Sequence, residues 1–540
     1  MSQAPLLDKD GTPQWHPGKK ANILIDFYAK VTTTPAFEKA RRPVRRRNAI
    51  RIRKESEVDK NNVLICEDHV RDALRRAKNG KAPGVDGMDA EQYKIPSESL
   101  AKPLTEFFNQ LIEKNEIPVI WPQSIICPFL KVGKPADEPS SYRPVSLLPA
   151  LRKIYERTLI HCLMPFVLPK VHPSQYAYVP GRSGEEMLLE LADTIHNCMQ
   201  EGTSTVGLVL FDASRAFDSV DHTDIEESLL NEFSIPAKLV RATMRLVRGR
   251  TGRVAVWHEG LRYLSRPRNF HKGVPQGSVL GPFLYMALTN SLYSSAPSNI
   301  TLKGYADDVK ARAEDSNPVR LESRLQEGVA HVEQWSASKG INLCKEKCKH
   351  ALYGIHQGLT LNLEVGGEKV DRCDNPRILG VNFDSSLSFE TTCEEKIDQL
   401  RRRTRVLYCL RGSKWGVSEK MLHLMYNNYV IGRLAYGLGI FYPYLSKERK
   451  RRLQVAANIG PRIIMSLPVT TRLAVLRKAS HTNTVERLAA KIALSQRARQ
   501  SISIHTQDRS QFEEWDMGSS ESGWPKTQLL SLLGMRKVPV

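Results

Sequence analysis

The sequence predicts a mixed α+β chain, and three observations carry that expectation. The run "TVGLVLFD" (205–212) is β-branched and aliphatic until it stops on a carboxylate, as in a buried strand that delivers Asp212 at its end. In "ITLKGYADDVKARAE" (300–314) two short alternating runs flank Asp307 and Asp308, as in a hairpin with both acids at the turn. Leu321, Leu325, Val329, Val332 and Trp335 then recur at helical spacing, so 318–338 is expected to be an amphipathic helix packed on a sheet.

From the N-terminus, residues 1–60 are polar and end in the basic run "ARRPVRRRNAIRIRK" (40–54), expected to be a basic arm. Between 61 and 204 apolar residues recur at helical spacing between Gly/Pro turns. "VRDALRRAKNGKAPGVDG" reads as a helix that stops at Gly80, and "SLLPALRKIYERTLIHCLMPFV" as another, so helices with basic loops are expected to dominate. Residues 205–390 hold the strand and hairpin signals. Residues 391–500 are rich in Leu, Arg, Lys and Ala at helical spacing and read as a separate basic helical domain. Residues 501–540 are polar and Gly/Ser-rich and read as a flexible tail.

Composition bounds the chemistry. At 540 residues the chain is long enough for several subdomains. Lys and Arg number 79 against 58 Asp and Glu, a formal net charge of +21, which favours a polyanionic partner such as nucleic acid. The nine cysteines are scattered, with no C-x-x-C and no Cys/His cluster at zinc spacing, which points to reduced thiols in an intracellular compartment. The first residues carry acids and prolines where a signal peptide needs an apolar core, and the longest uncharged window, 273–302, is interrupted by Pro275, Gln276, Pro282 and Asn290. No membrane association is expected.

Two acids at a hairpin turn are ordinarily only a turn. Asp212 changes that reading, because two separate strands would then bring three carboxylates together on an otherwise basic protein. Like charges so close are costly unless cations neutralise them, and oxygen-only ligands suit Mg²⁺, with Mn²⁺ as the alternative. Two such ions would serve an in-line phosphoryl displacement.

"FDASRAFDSVDH" (211–222), "GVPQGSVLGPFLY" (273–285) and "YADD" (305–308), in this order, resemble the palm motifs of reverse transcriptases of the non-LTR (LINE-type) retrotransposons, including jockey-like and trypanosomatid elements. The resemblance extends through "KAPGVDGM" (81–88), "WPQSIICPFLKVGKP" (121–135), "SYRPVSLLP" (141–149) and "ILGVNFDSSLSF" (378–389), and so covers roughly residues 60–470. It implies a right-hand polymerase with an antiparallel palm sheet: fingers and the start of the palm in 61–204, the catalytic palm in 205–390, and a helical thumb in 391–500. The implied reaction adds dNTPs to a DNA primer 3′-OH on an RNA template. The implied location is the nucleus.

By resemblance Asp212 and Asp307 coordinate metal and Asp308 is the adjacent third acid. Phe217 falls where the family places the aromatic side chain that excludes a ribose 2′-OH. Gln276 contacts the incoming nucleotide, Tyr305 is grouped with it, and Lys131 and Arg143 hold the triphosphate. Lys347 is the choice for protonating pyrophosphate, with Lys345 and Lys349 as competing registers. Gly84, Asp86 and Arg182 match template-related or fold-related stretches, although "QYAYVPGRS" has Tyr178-Val179 where the family tends to have Phe-Arg. Arg401, Arg402 and Arg403, with "SKERKRRLQ" (446–454), fall where a thumb grips a duplex by its phosphates.

No endonuclease, ribonuclease H or zinc knuckle pattern is seen, so the chain reads as the polymerase portion alone; whether it is a fragment of a longer element protein or a truncated copy is left open, as is a separate endonuclease partner. The oligomeric state is left open. The competing readings are a catalytically silent or domesticated nucleic-acid-binding relic and a group II intron-type maturase.

Overall fold

A computed structural model describes residues 4–32, 64–412 and 416–505. The basic run at 40–54 and most of the expected tail lie outside the described residues. In chain order, the elements that matter below begin with α1 (Pro17–Val31), α2 (Glu67–Arg75), β1 (Gln123–Leu130), β2 (Tyr142–Leu147), α3 (Ala150–Val167), α4 (Gly184–Glu201) and β3 (Thr205–Phe211). They continue with β4 (Arg250–His258), β5 (Leu261–Leu264), β6 (Arg268–Phe270), α5 (Leu280–Ser294), β7 (Thr301–Tyr305), β8 (Asp308–Asp315) and α6 (Pro318–Lys339). The last are β9 (Lys349–Gly354), β10 (Asp371–Arg372), α7 (Glu390–Arg411), α8 (Lys447–Ala457) and α9 (Val485–His505). The chain is therefore mixed helix and sheet, as expected.

The chain divides into two compact units that interleave in sequence. The first comprises Met1–Tyr178, Asp212–Ala296 and His331–Cys344, in their described parts; the second comprises Val179–Phe211, Pro297–Ala330 and Lys345–Val540, likewise.

In the first unit a sheet runs β2-β1-β4-β5, with β6 also paired to β4. β1 and β2 are antiparallel, with Phe129 opposite Arg143, whereas β1 and β4 are parallel, with Gln123 opposite Thr251. Within the stretch read as an N-terminal arm, residues 17–31 form helix α1. His16 caps it through Nδ1, which accepts from the Gly18 N–H at 3.1 Å. Leu24, Ile25 and Tyr28 are buried in one cluster with Ile126, Tyr142, Val254 and Val256 of the sheet. Helices fill most of the structured part of 61–204, but strands β1 and β2, which the sequence pattern did not announce, also lie inside it. The helix expected to stop at Gly80 ends earlier, with α2 closing at Arg75.

In the second unit the sheet order is β7-β8-β3-β9-β10. It is antiparallel except for the short β9–β10 pairing. Gly207 in the middle of β3 lets Leu321 and Leu325 of α6 seat directly on the strand, since a methyl group there would press on both leucines. Ser183 starts α4 with a capping box: its hydroxyl accepts from the Glu186 N–H while Glu186 accepts from the Ser183 N–H. Residues 390–505 are helical apart from their connections, with Leu400, Leu407, Phe441 and Leu453 in a large apolar core. Among the described residues no helix is long and apolar enough to cross a membrane.

Candidate active site

The expected hairpin is present. Tyr305 pairs with Asp308 across a two-residue loop, Ala306-Asp307, and Ala306 adopts φ +58°, a left-handed conformation that a small side chain tolerates. Asp307 and Asp308 are both exposed, and Tyr305 lies against the start of α4 at Gly184. One strand over, Val309 of β8 is opposite Phe211, the last residue of β3. Asp212 is the next residue of the chain, half-buried, and its carbonyl accepts from the Cys344 N–H at 2.8 Å. Among the described residues, no three His, Cys, Asp or Glu side chains converge as a ready metal site. The carboxylates are all-oxygen donors, and the two at the turn face solvent, so their chemistry suits a hard cation.

The sheet interior beside the hairpin holds a residue that sequence reasoning passed over. Lys310 is buried, opposite Leu210, and its ammonium has no hydrogen-bond partner among the described residues. Burial pulls its pKa down to about 8, against the raising influence of Asp308. It lines a small cavity with Glu190, Lys303 and Arg312.

Asp212 opens a segment of the first unit that is locked to the loop 272–280. The Gly273 N–H donates to the Val220 carbonyl at 2.7 Å, and the Val274 N–H to the Phe217 carbonyl at 2.8 Å. Gly273 has φ +74° and no room for a side chain against the Asp218 backbone; Gly277 has φ +122° and none against the Ser146 carbonyl. Any other residue at either place would push the loop off its seat. The Ser146 N–H donates to the Gln276 carbonyl at 2.6 Å, which ties the loop to β2.

Phe217 stacks on Tyr285 of α5 with ring centroids 4.6 Å apart, and Tyr178 meets it edge-on at 6.4 Å. Gln276 is half-buried, and its Nε2 donates to both oxygens of Asp218 at 3.2 and 3.1 Å. Burial pushes the Asp218 carboxyl above its ordinary value, opposed by that hydrogen bond and by the charges of Arg250, Arg215 and Lys131.

Two buried groups hold the loop from behind. The Arg250 guanidinium donates to the carbonyls of Val247, Lys272 and Gly273 at 2.8, 2.8 and 2.7 Å. Glu156 of α3 accepts from the Ser278 hydroxyl and the Val279 N–H, both at 2.7 Å, and from the Leu280 N–H at 3.3 Å at the start of α5. Its other oxygen pairs with Arg152 at 2.8 Å, and neither side chain is more than 1% exposed. Arg152 in turn donates to the carbonyls of Trp121 and Leu246.

His222 completes the clamp, with Nε2 on the Gly273 carbonyl at 2.8 Å. Burial holds its pKa at about 3, with Arg250 adding to the effect and the bond to Gly273 and Asp221 opposing it. The folded state therefore resists a proton that the unfolded chain accepts near 6.5, so stability present above that pH is lost as pH falls from 6.5 toward 3. By pH 5 the expected loss from this group is about 2 kcal/mol relative to pH ~7.5. Urea unfolding of wild type and His222→Gln at the two pH values checks this: the variant should lack that share of the loss, and equal pH dependence would contradict it.

The remaining expected site residues are more scattered. Lys131 Nζ donates to the Ser140 carbonyl at 2.9 Å, and Arg143 is exposed on β2. Gly84 is packed so tightly on Leu148 and Pro149 that no side chain fits, while Asp86 is half-buried and its carboxylate accepts from the Met88 N–H at 3.4 Å. Arg182 is half-buried just before α4, and its N–H donates to the Val179 carbonyl at 3.2 Å. Lys347 is exposed in a short 3₁₀ turn, and neighbouring Lys345 donates to the Gly366 carbonyl at 2.7 Å. Arg401 and Arg402 are exposed on α7; Arg403 instead stacks on Tyr429 at 4.4 Å and donates to its carbonyl at 2.6 Å.

Residues 132–383 match the family model described as reverse transcriptase (RNA-dependent DNA polymerase). Several relatives are named as proteins of mobile elements or transposons. The chain is 26% identical over 333 residues to the RNA-directed DNA polymerase from mobile element jockey of Drosophila melanogaster, covering 60% of this chain and 36% of that protein. It is also 26% identical to two further proteins of that organism, the probable RNA-directed DNA polymerases from transposon BS (78% of this chain, 47% of that protein) and from transposon X-element (74% and 43%). The chain thus spans less than half the length of the curated relatives it matches.

Proposed function

We propose that this chain is an RNA-directed DNA polymerase of a non-LTR retrotransposon, extending a DNA primer with dNTPs on an RNA template. The observation that carries the reading is the "YADD" turn at the start of β8, whose ladder with β3 stops at Phe211, one residue before Asp212, within the segment that matches the reverse transcriptase model. In this reading the molecule is a right-hand polymerase, with fingers in 61–204, palm in 205–390 and thumb in 391–500. Asp212, Asp307 and Asp308 hold two Mg²⁺ ions, or Mn²⁺ in their place. When bound, such ions supply Lewis-acid activation of the attacking hydroxyl and charge neutralisation at the leaving oxygen.

The protein's own side chains set the rest. Lys131 and Arg143 bind the triphosphate, Gln276 and Tyr305 serve nucleotide binding, and Lys347 donates a proton to pyrophosphate. Gly84, Asp86 and Arg182 serve the template side, and Arg401, Arg402 and Arg403 serve the duplex. A nuclear location and a separate endonuclease belong to the same reading.

Primer extension tests it: purified protein with an RNA template, a DNA primer and four dNTPs should give product that EDTA abolishes. No product over a range of metal and salt would replace this reading with that of a nucleic-acid-binding relic.

Phe217 gives a sharper test. Its ring is braced by Tyr285, so a ribose 2′-OH would meet a rigid apolar wall. Phe217→Ala is expected to lower the preference for dNTP over NTP by about tenfold or more, read as the ratio of the two kcat/KM values. An unchanged ratio would remove Phe217 from that role.

A further inference from the structure

We propose that Asp218 is a positioning residue that fixes which end of the Gln276 amide is turned toward the incoming nucleotide. The proposal rests on the polymerase reading above and adds to it a residue and a polarity.

An amide offers a donor at one end and an acceptor at the other, and little in its own shape decides between them. Here the backbone around Gln276 has no freedom to choose. Its carbonyl is held by the Ser146 N–H, and the nearby glycines 273 and 277 pack against backbone that leaves no room for a side chain. The choice left is rotation of the side chain, and Asp218 makes it. A carboxylate only accepts, so it takes the NH₂ end, and both of its oxygens do so at 3.2 and 3.1 Å. The Gln276 amide oxygen is thereby turned away from Asp218. Burial works against the ionised carboxyl that this arrangement needs; the Gln276 hydrogen bond and the charges of Arg250, Arg215 and Lys131 work for it.

Asp218 follows Phe217 directly, and the Phe217 carbonyl anchors Val274 of the same loop. One short stretch thus carries the apolar wall, a loop anchor and the group that orients the amide.

An Asp218→Asn variant keeps the shape but offers a donor as well as an acceptor, so the Gln276 amide can bond in either orientation. The expected result is a KM for dNTP raised by about tenfold with kcat changed by less than about threefold and an unaltered melting temperature, because ground-state orientation is lost while the chemistry is not. A merely structural role would instead move stability, or kcat and KM together. Gln276→Glu places two acceptors against each other and should also raise KM. In the double variant the amide introduced at position 218 donates to the carboxylate introduced at position 276. The pair is restored with donor and acceptor exchanged, and an oxygen at position 276 still faces away from position 218. Its KM is therefore expected to fall about tenfold below that of Gln276→Glu alone, about a hundredfold below the value that multiplying the two single effects would give.

If Asp218→Asn alone lowers the melting temperature, Gln276→Glu and the double variant decide. The proposal requires that adding Asp218→Asn to Gln276→Glu lowers KM. A wild-type KM in Asp218→Asn, or a double variant no better than Gln276→Glu, overturns the proposal and leaves the polymerase reading standing. A wild-type protein that extends no primer overturns both.

Discussion

Asp307→Asn is expected to slow nucleotide addition by about 10³-fold or more, with the folded state unchanged. The substitution keeps the side chain's size and removes one negative charge. Asp307 is exposed at the tip of a two-residue turn, so no core packing is lost. If the turn holds cations for phosphoryl transfer, however, the lost charge is the one that matters most. Asp212→Asn should behave alike, because Asp212 follows the strand whose ladder ends beside the turn. Single-turnover primer extension alongside thermal melting checks both. Full activity in either variant would remove that carboxylate from the chemistry, and a large fall in melting temperature would show that its role is structural.

Glu156→Ala should destabilise the protein by about 3–5 kcal/mol. Glu156 is fully buried, and it satisfies Arg152 on one side and three donors of 278–280 on the other. Removing it strands a buried guanidinium and leaves the start of α5 without an acceptor. Its effect should reach activity too, since those donors begin one residue beyond Gly277 in the loop that carries Gln276. Replacing both partners, as in Arg152→Met with Glu156→Leu, should recover part of the stability, because the unpaired charge goes with its partner. Chemical denaturation measures both; a Glu156→Ala protein within about 1 kcal/mol of wild type would contradict this account of the clamp.

What the sequence made legible follows from locality. The "YADD" hairpin, the strand ending at Phe211 and helix α6 are each declared by the residues that build them, through alternation, a turn and helical spacing. The sheet within 123–264 was not legible, because β1 pairs in parallel with a strand more than a hundred residues later and "QSIICPFL" shows no sustained alternation. Arg152 and Glu156 stand four apart on a helix, the usual mark of a solvent-facing ion pair, and only the packed structure shows that both are buried. Asp218 lay inside a quoted motif, yet its meaning comes from Gln276, 58 residues on. Such contacts leave no periodic trace; the available signal was a polar residue inside an otherwise apolar or Gly/Pro-rich run.

Single-nucleotide incorporation on an RNA template tests the central claim most directly. With one defined template base after the primer and Mg²⁺ present, wild-type protein should add only the complementary dNTP, and Asp307→Asn protein should add none on the same timescale. Absence of templated addition by the wild type, or equal addition by Asp307→Asn, would contradict the account.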